Sequence, residues 1–314
     1  GSFGKAFIKT ITDQFHPSRL VVFSRDEFKQ YEMQSAPEFS DNSSLRFFIG
    51  DVRDVNRLET AMRGIDIVVH AAALKHVPIA EYNPFECIMT NVHGAENVVK
   101  AALRANVSKV ITISTDKAVN PINLYGASKL AADKIFIAAN NLTGDGRTRF
   151  SVVRYGNVIG SRGSVVQLFE RLIREGATNL PITDPDMTRF WISLREGIQF
   201  VLSSLAMMHG GEIFVPKIPS MRILELAKAM APTLPHQIIG IRPGEKLHEA
   251  LLTIHDARST LELEDRYIVE PDFAYWNRDS RTDFGAKRVA ADFDYQSNTN
   301  TEWLDASTIL QLIR

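Results

Sequence analysis

The chain has 314 residues, 45% of them hydrophobic, which suits one large α/β domain or two smaller ones around a sizeable core. Lys and Arg number 36 against 37 Asp and Glu, so a net charge of −1 with interspersed signs excludes a chain-wide basic field for nucleic acid or an anionic membrane, and any anion site must be local. A lone cysteine, Cys87, excludes an internal disulfide framework and a thiolate metal cluster and suits a reducing cytoplasm; no apolar run nears the roughly 20 residues that span a bilayer, and no charged-then-apolar leader opens the chain.

In chain order, "GSFGKAF" reads as the end of a glycine-rich turn entering a helix, where the amides near Gly1, Ser2, Phe3 and Gly4 would cradle a pyrophosphate. A tag-cleavage scar is the plain alternative for Gly1-Ser2, but a sheet of this class has a strand before that helix, so one is expected upstream of Gly1. Short β-branched runs follow at 20–24, 45–52, 65–72, 109–115 and 150–155, near-continuously apolar as in strands buried on both faces. Between them "NRLETAMRG", "PFECIMTNVHGAENVVKAALRAN" and "YGASKLAADKIFIAANN" carry helical spacing. The alternation predicts an α/β fold, a Rossmann-like doubly wound parallel sheet, with the dinucleotide domain over 1–160. Beyond it the pattern loosens into the proline-rich turns "LPITDPD", "VPKIPS" and "GIRPGEK". A smaller, discontinuous substrate-binding domain is expected over 161–314, with 187–216 returning to the sheet.

At the end of the first run stands "FSRDEFK". An acidic residue directly at the strand end would favour a free ribose 2′-hydroxyl, whereas Ser24, Arg25 and Lys29 offer donors to a 2′-phosphate, which favours NADP over NAD. A solvated charged turn is the plain alternative. In "GDVRD", Asp51 and Val52 are placed to border the adenine and Asp54 to cap the next helix. Tyr125 and Lys129, four apart on one helix face, bring an ammonium beside a phenol. Lowering a phenol from pKa about 10 toward 7 takes about 3 units, or ~4 kcal/mol, which a lysine and an oxidised nicotinamide together supply. Such a tyrosine takes a hydroxyl proton as hydride leaves its carbon. His70, His76 and His93 match no metal spacing, so no metal is expected.

The blocks "GSFGKAF", "SRDE", "FFIGDVRD", "HAAALKHVPIAEYNP", "STDKA", "NPINLYGASK", "VRYGNVIGSRGSVV", "MTRFW", "GGEIFVPKIPSM" and "GIRPGEKLHE" resemble the extended short-chain dehydrogenase/reductase family over nearly the whole chain. Within it they are most similar to the inverting UDP-N-acetylglucosamine 4,6-dehydratases of pseudaminic acid synthesis. The resemblance implies an NADP kept through a redox-neutral cycle. Tyr125, supported by Lys129, takes the 4-hydroxyl proton as hydride leaves C4; Lys117 removes the C5 proton, Asp116 protonates the departing 6-hydroxyl, and hydride returns to C6 with C5 inverted. The implied cofactor set is Gly1, Ser2, Phe3, Gly4, Ser24, Arg25, Asp26, Glu27, Phe28, Lys29, Asp51, Val52, Ala71, Ile113, Ser114, Tyr125, Lys129, Val158, Ile159, Gly160, Ser161 and Arg162. Lys75, Asn157, Val165, Thr183, Arg242 and Glu245 are the implied contacts to the UDP-sugar, and a homo-oligomer, a hexamer, is implied too.

Two physical conditions attach to Asp116-Lys117. Lysine is a base only when neutral, and an adjacent carboxylate favours its charged form, with Lys129 and the oxidised nicotinamide opposing. Neighbours on a strand also face opposite ways, so both serve one sugar only if the strand has ended before Asp116. Plain alternatives are a solvated surface pair for Asp116-Lys117, a surface lysine for Lys75 and a helix cap for Glu245. Retaining dehydratases, which usually carry Asp-Glu at the Asp116-Lys117 position, and 4-epimerases, which lack the pair, are the competing enzymes. A non-catalytic NADP-binding protein would have lost Tyr125 or Lys129.

Overall fold

In a computed structural model that describes residues 1–144, 146–161, 163–273, 276 and 285–313, the apolar runs become strands β1 (Leu20–Ser24), β2 (Leu45–Ile49), β3 (Ile67–His70), β4 (Lys109–Thr115) and β5 (Arg149–Tyr155). After them come β6 (Asn157–Val158), β7 (Leu180–Ile182), β8 (Thr188–Ile192), β9 (Ile213–Pro216), β10 (Ser220–Arg222), β11 (His236–Ile238), β12 (Ala250–Leu252), β13 (Thr260–Glu262), β14 (Arg266–Val269), β15 (Lys287–Arg288) and β16 (Tyr295–Gln296).

β3, β4, β5 and β9 lie side by side and parallel, and β14, β13 and β15 continue the sheet antiparallel. Its centre is dry: Val110, Ile111, Phe150, Val152, Val153 and Phe214 are fully buried, which is why these runs show no polar alternation. The helices Gly94–Arg104 and Leu124–Ala138 pack on each other, and Leu194–Met207 packs against β4, β5 and the first helix, Ser2–Gln14. These elements make the doubly wound α/β class the chain's observed fold.

β1 pairs in parallel with β2 as a separate two-stranded sheet over its own small core of Ile8, Phe39 and Leu45. Among the described residues no backbone pairing joins β1 to β3, and residues of both strands line one cavity.

A second core of Val166, Phe169, Leu180, Ile182, Trp191, Met221 and Leu226 underlies the smaller region, where β6, β8 and β10 form one sheet and β7 and β11 another. The expected boundaries shift in two places. Within 187–216, β8 stays in the smaller region's sheet, and only the helix Leu194–Met207 and β9 return to the main one. Conversely β13, β14 and β15 extend the main sheet from inside the region assigned to substrate. Each is two to four residues long, too short for periodicity to separate strand from loop. No helix among the described residues is long and apolar enough to cross a membrane.

Candidate active site

The strand β4 ends at Thr115, and a 3-10 turn, Asp116–Ala118, begins there, so the chain leaves the strand before the acidic and basic pair. Thr115 Oγ1 donates to Asp116 Oδ1 at 2.9 Å and accepts the Lys117 N–H at 3.3 Å, closing the turn. Lys117 Nζ then lies 3.0 Å from Asp116 Oδ1 and 3.2 Å from Glu249 Oε1. Burial alone would lower the Lys117 pKa, but Asp116 and Glu249 together outweigh it and hold the ammonium well above its usual range. Lys117 lines the cavity. Asp116 is fully buried, with one carboxylate oxygen unbonded, and does not line the cavity, whereas its hydrogen-bond partners Thr115 and Lys117 do.

The next helix brings Tyr125 to this turn. Asn123 caps it, Oδ1 accepting the Gly126 N–H at 2.7 Å, while Asn123 Nδ2 donates to the Gly244 carbonyl at 2.8 Å and so ties the helix start to "RPGEK". Gly126 allows the close approach: a Cβ there would stand 2.1 Å from the Lys117 carbonyl oxygen. The Tyr125 phenol is pushed up to about 12, by burial first, with Lys117 and Thr115 pulling the other way. The expected ammonium partner of that phenol was Lys129. In the structure the cation that lowers the Tyr125 pKa is Lys117; the Lys129 pKa is lowered by burial and raised by Asp133, and burial and then Lys129 push His70 down to about 3. Asp133 stands four residues beyond Lys129 on the same helix, takes the Ser114 hydroxyl at 2.7 Å and pairs with Arg154 at 3.5 Å. Tyr125 and Asp133 thus stand four residues before and four after Lys129 on one helix.

A cavity of about 1770 Å³ gathers most of the expected residues: Gly1, Ser2, Phe3, Gly4, Ser24, Arg25, Asp26, Lys29, Asp51, Val52, Ala71, Ile113, Ser114, Tyr125, Lys129, Val158 and Ser161 from the cofactor set, and Lys75, Asn157, Val165, Arg242 and Glu245 from the substrate set. The cavity also runs between β1 and β3, where Ile8, Val68, Val98 and Leu205 line it. A Cβ at Gly4 would meet nothing within 4 Å, so the first turn of the helix Ser2–Gln14 is uncrowded on the cavity side, as an anion at a helix start requires. Lys75 is placed by Asn91, whose side chain holds the Leu74 N–H at 2.8 Å and the Leu74 carbonyl at 2.9 Å; burial and then Lys117 lower the Lys75 pKa.

Other expected residues lie elsewhere. Glu27 and Phe28 are outside the cavity lining because they begin the helix Glu27–Ser35, whose cap Asp26 turns them outward, and Phe28 is 65% exposed. Ile159 is buried in the second core, Gly160 turns with φ +66°, and Thr183 follows β7; none of the three lines the cavity. Arg162 lies outside the described residues. His70, His76 and His93 do not converge, and among the described residues no group of three or more His, Cys, Asp or Glu could hold a metal. Sequence reasoning missed Glu249 and Arg189, both in the cavity wall. Each lay inside a quoted block, "GIRPGEKLHE" and "MTRFW", but nothing local marks either as a partner of Lys117.

A dinucleotide-type α/β sheet whose cavity holds a tyrosine and a lysine one helical turn apart defines an extended short-chain dehydrogenase/reductase. The chain belongs to the polysaccharide biosynthesis protein family, which it matches over residues 1–271. It is 54% identical over 318 residues to a UDP-N-acetylglucosamine 4,6-dehydratase (inverting) of Campylobacter jejuni, covering 100% of this chain and 94% of that protein. A UDP-glucose 4-epimerase of Rickettsia conorii is 42% identical over 324 residues, with 100% and 92% covered. Among solved structures, Pen from Bacillus thuringiensis superposes with a TM-score of 0.89 at 36% identity, covering 100% of this chain and 94% of that one.

Proposed function

We propose that this protein is an NADP-dependent, cytoplasmic UDP-N-acetylglucosamine 4,6-dehydratase that inverts C5, forming a UDP-4-keto-6-deoxy-hexosamine as the first step of pseudaminic acid-type glycan synthesis. The observation that carries the reading is Lys117, whose ammonium lines the same cavity as Tyr125 on a turn that has left the strand, with Asp116 3.0 Å away. A 4-epimerase needs no proton exchange at C5 and C6, so it has no use for that pair. The Campylobacter relative's name supports the same reaction. Self-association is part of the reading, supported by the widely exposed Tyr82 and Phe85, three residues apart in the chain.

When bound, the nicotinamide dinucleotide supplies the hydride acceptor for C4 and the hydride donor for C6. Tyr125 takes the proton of the 4-hydroxyl; its high pKa makes it a strong acceptor once ionised, and Lys117 favours the phenolate. The resulting ketone acidifies C5, whose proton passes to the Asp116–Lys117 pair, while the pair returns a proton to the departing 6-hydroxyl, so that the site ends the elimination in its starting charge state. Arg242 and Glu245, 3.7 Å apart in the wall, suit the diphosphate and the ribose hydroxyls.

The test is early NMR of the product formed in D₂O from UDP-N-acetylglucosamine with catalytic NADP. The expected product carries deuterium at C5 and the inverted configuration, and Lys117→Ala loses most of the elimination. Retained C5 configuration from the first spectrum would overturn inversion, and a simple C4 epimer would favour the epimerase. Early sampling matters because a 4-keto sugar epimerises slowly at C5 in solution.

A further inference from the structure

Lys117 is held from two directions. Asp116 belongs to its own turn, but Glu249 arrives from the far end of the smaller region, where its backbone is clamped by Ser297. The Ser297 N–H donates to the Glu249 carbonyl at 2.8 Å, and Ser297 Oγ accepts the Glu249 N–H at 2.9 Å. The residues before it are fixed as well. Arg189 donates to the carbonyls of Lys246 at 2.9 Å and Leu247 at 3.1 Å, and Lys246 Nζ donates to the Val119 carbonyl at 2.5 Å, one residue past the Asp116–Ala118 turn.

The carboxylate delivered this way is 2% exposed, lines the cavity, and meets three cations: Lys117 at 3.2 Å, Lys246 at 3.6 Å and Arg189 at 4.0 Å. Its Oε2 makes no hydrogen bond. Charge balance at Lys117 does not call for it, because Asp116 already neutralises the ammonium. Geometry does. An ammonium bound to one carboxylate can swing about it, whereas one gripped by two carboxylates on separate chain segments has its nitrogen fixed against the cavity.

We propose that Glu249 is a positioning residue for the elimination step, setting where Lys117 Nζ stands against the substrate. The proposal rests on the reading of Lys117 as the group that exchanges the C5 proton. The groups facing Lys117 are Asp116 and Thr115 from its own turn, Tyr125 from the next helix, Lys75 from the loop after β3, Arg189 from β8 and Glu249 itself, with Lys246 on the other oxygen of Glu249. Asp116 and Glu249 favour the ammonium, and Arg189 opposes it. Removing the Glu249 charge therefore lets Lys117 lose its proton at lower pH.

The experiment uses Glu249→Gln, which keeps shape and removes charge, with UDP-N-acetylglucosamine in D₂O across a pH series. C4 oxidation is followed by single-turnover reduced-nicotinamide absorbance, and elimination by deuterium at C5. Expected in Glu249→Gln is a rising pH limb displaced to lower pH than in wild type, with elimination falling more than C4 oxidation at the alkaline end of the series. Glu249→Asp, which keeps the charge but shortens the reach, should lower the ratio of elimination to C4 oxidation about tenfold at every pH and leave the limb in place; it also carries the test if the glutamine variant does not fold. An unmoved limb in Glu249→Gln, an equal fall in both steps, or a wild-type ratio in Glu249→Asp would overturn the proposal. Lys117→Ala separates this from the underlying reading: intact C5 exchange there overturns both, whereas lost exchange with an unmoved Glu249→Gln limb overturns the role of Glu249 alone.

Discussion

Arg25 and Asp26 stand side by side at the end of β1, and their partners bear on which dinucleotide the cavity prefers. Asp26 has both carboxylate oxygens engaged, Oδ1 capping the Lys29 N–H at 3.0 Å and Oδ2 pairing with the Lys29 ammonium, so it is committed to its helix rather than offered to a ribose hydroxyl. Arg25 meets Asp51 at 3.5 Å, a long contact on a half-exposed side chain that a 2′-phosphate would readily displace. Arg25→Ala should therefore weaken NADP by roughly 10- to 150-fold, the range for one lost charge-assisted bond of about 1.5 to 3 kcal/mol, and leave NAD almost unchanged. Calorimetric titration with both cofactors checks this, and equal weakening would remove the assignment. At this scale, legibility in the sequence followed distance along the chain. Asp116-Lys117 and Tyr125-Lys129 were visible because their chemistry is local in sequence. Glu249 and Arg189 reach Lys117 only through tertiary packing, and the pull of Asp133 on Lys129 was visible in principle, as one more helical turn in "YGASKLAADK".

The elements that carry the site were legible where long apolar runs made them. β4 coincides with the expected 109–115, and β5 begins one residue before the expected 150. Apart from the five-residue β8, the strands of the smaller region gave no such signal, because two or three residues complete less than two alternations. How the helix Leu124–Ala138 docks depends on one small residue. With the Cβ of any other side chain at Gly126 standing 2.1 Å from the Lys117 carbonyl oxygen and 3.1 Å from Pro121 Cβ, either the helix or the 3-10 turn must move. Neither neighbour is a flexible side-chain end. Gly126→Ala should cost about 1 to 3 kcal/mol of stability, the usual penalty of overpacking, despite alanine's better helix propensity. Because the displaced atoms join Tyr125 to Lys117, turnover should fall at least tenfold even at a temperature where the variant is fully folded. Thermal denaturation and steady-state rates check the two parts, and an alanine variant with wild-type melting and turnover would show that the turn relaxes freely.

Across the whole molecule the sheet is unequally supported. Among the described residues β4 and β5 have strand neighbours on both sides and a dry core, whereas β1 and β2 pair with each other over the small cluster of Ile8, Phe39 and Leu45. This part rests on only three fully buried apolar residues rather than on the main core, so its opening should cost less than global unfolding. Its opening is also coupled to the cavity, since all of β1 and the residues Arg25, Asp26 and Lys29 line it. Amides of 20–24 and 45–49 should accordingly exchange with solvent much faster than those of 109–115 and 149–155. A dinucleotide that binds only the closed form stabilises it by about 2.7 kcal/mol at 100 times its Kd, which slows exchange through that opening by roughly 100-fold. The effect should be confined to the part that opens by itself, leaving 149–155, already governed by larger openings, changed only through the global equilibrium. Hydrogen exchange followed by mass spectrometry, with and without NADP, resolves these segments. Equal protection of β1 and β5 in the free protein would show that the two pieces of the sheet open as one unit, and unchanged exchange at 20–24 on adding NADP would place the adenosine half of the cofactor away from β1.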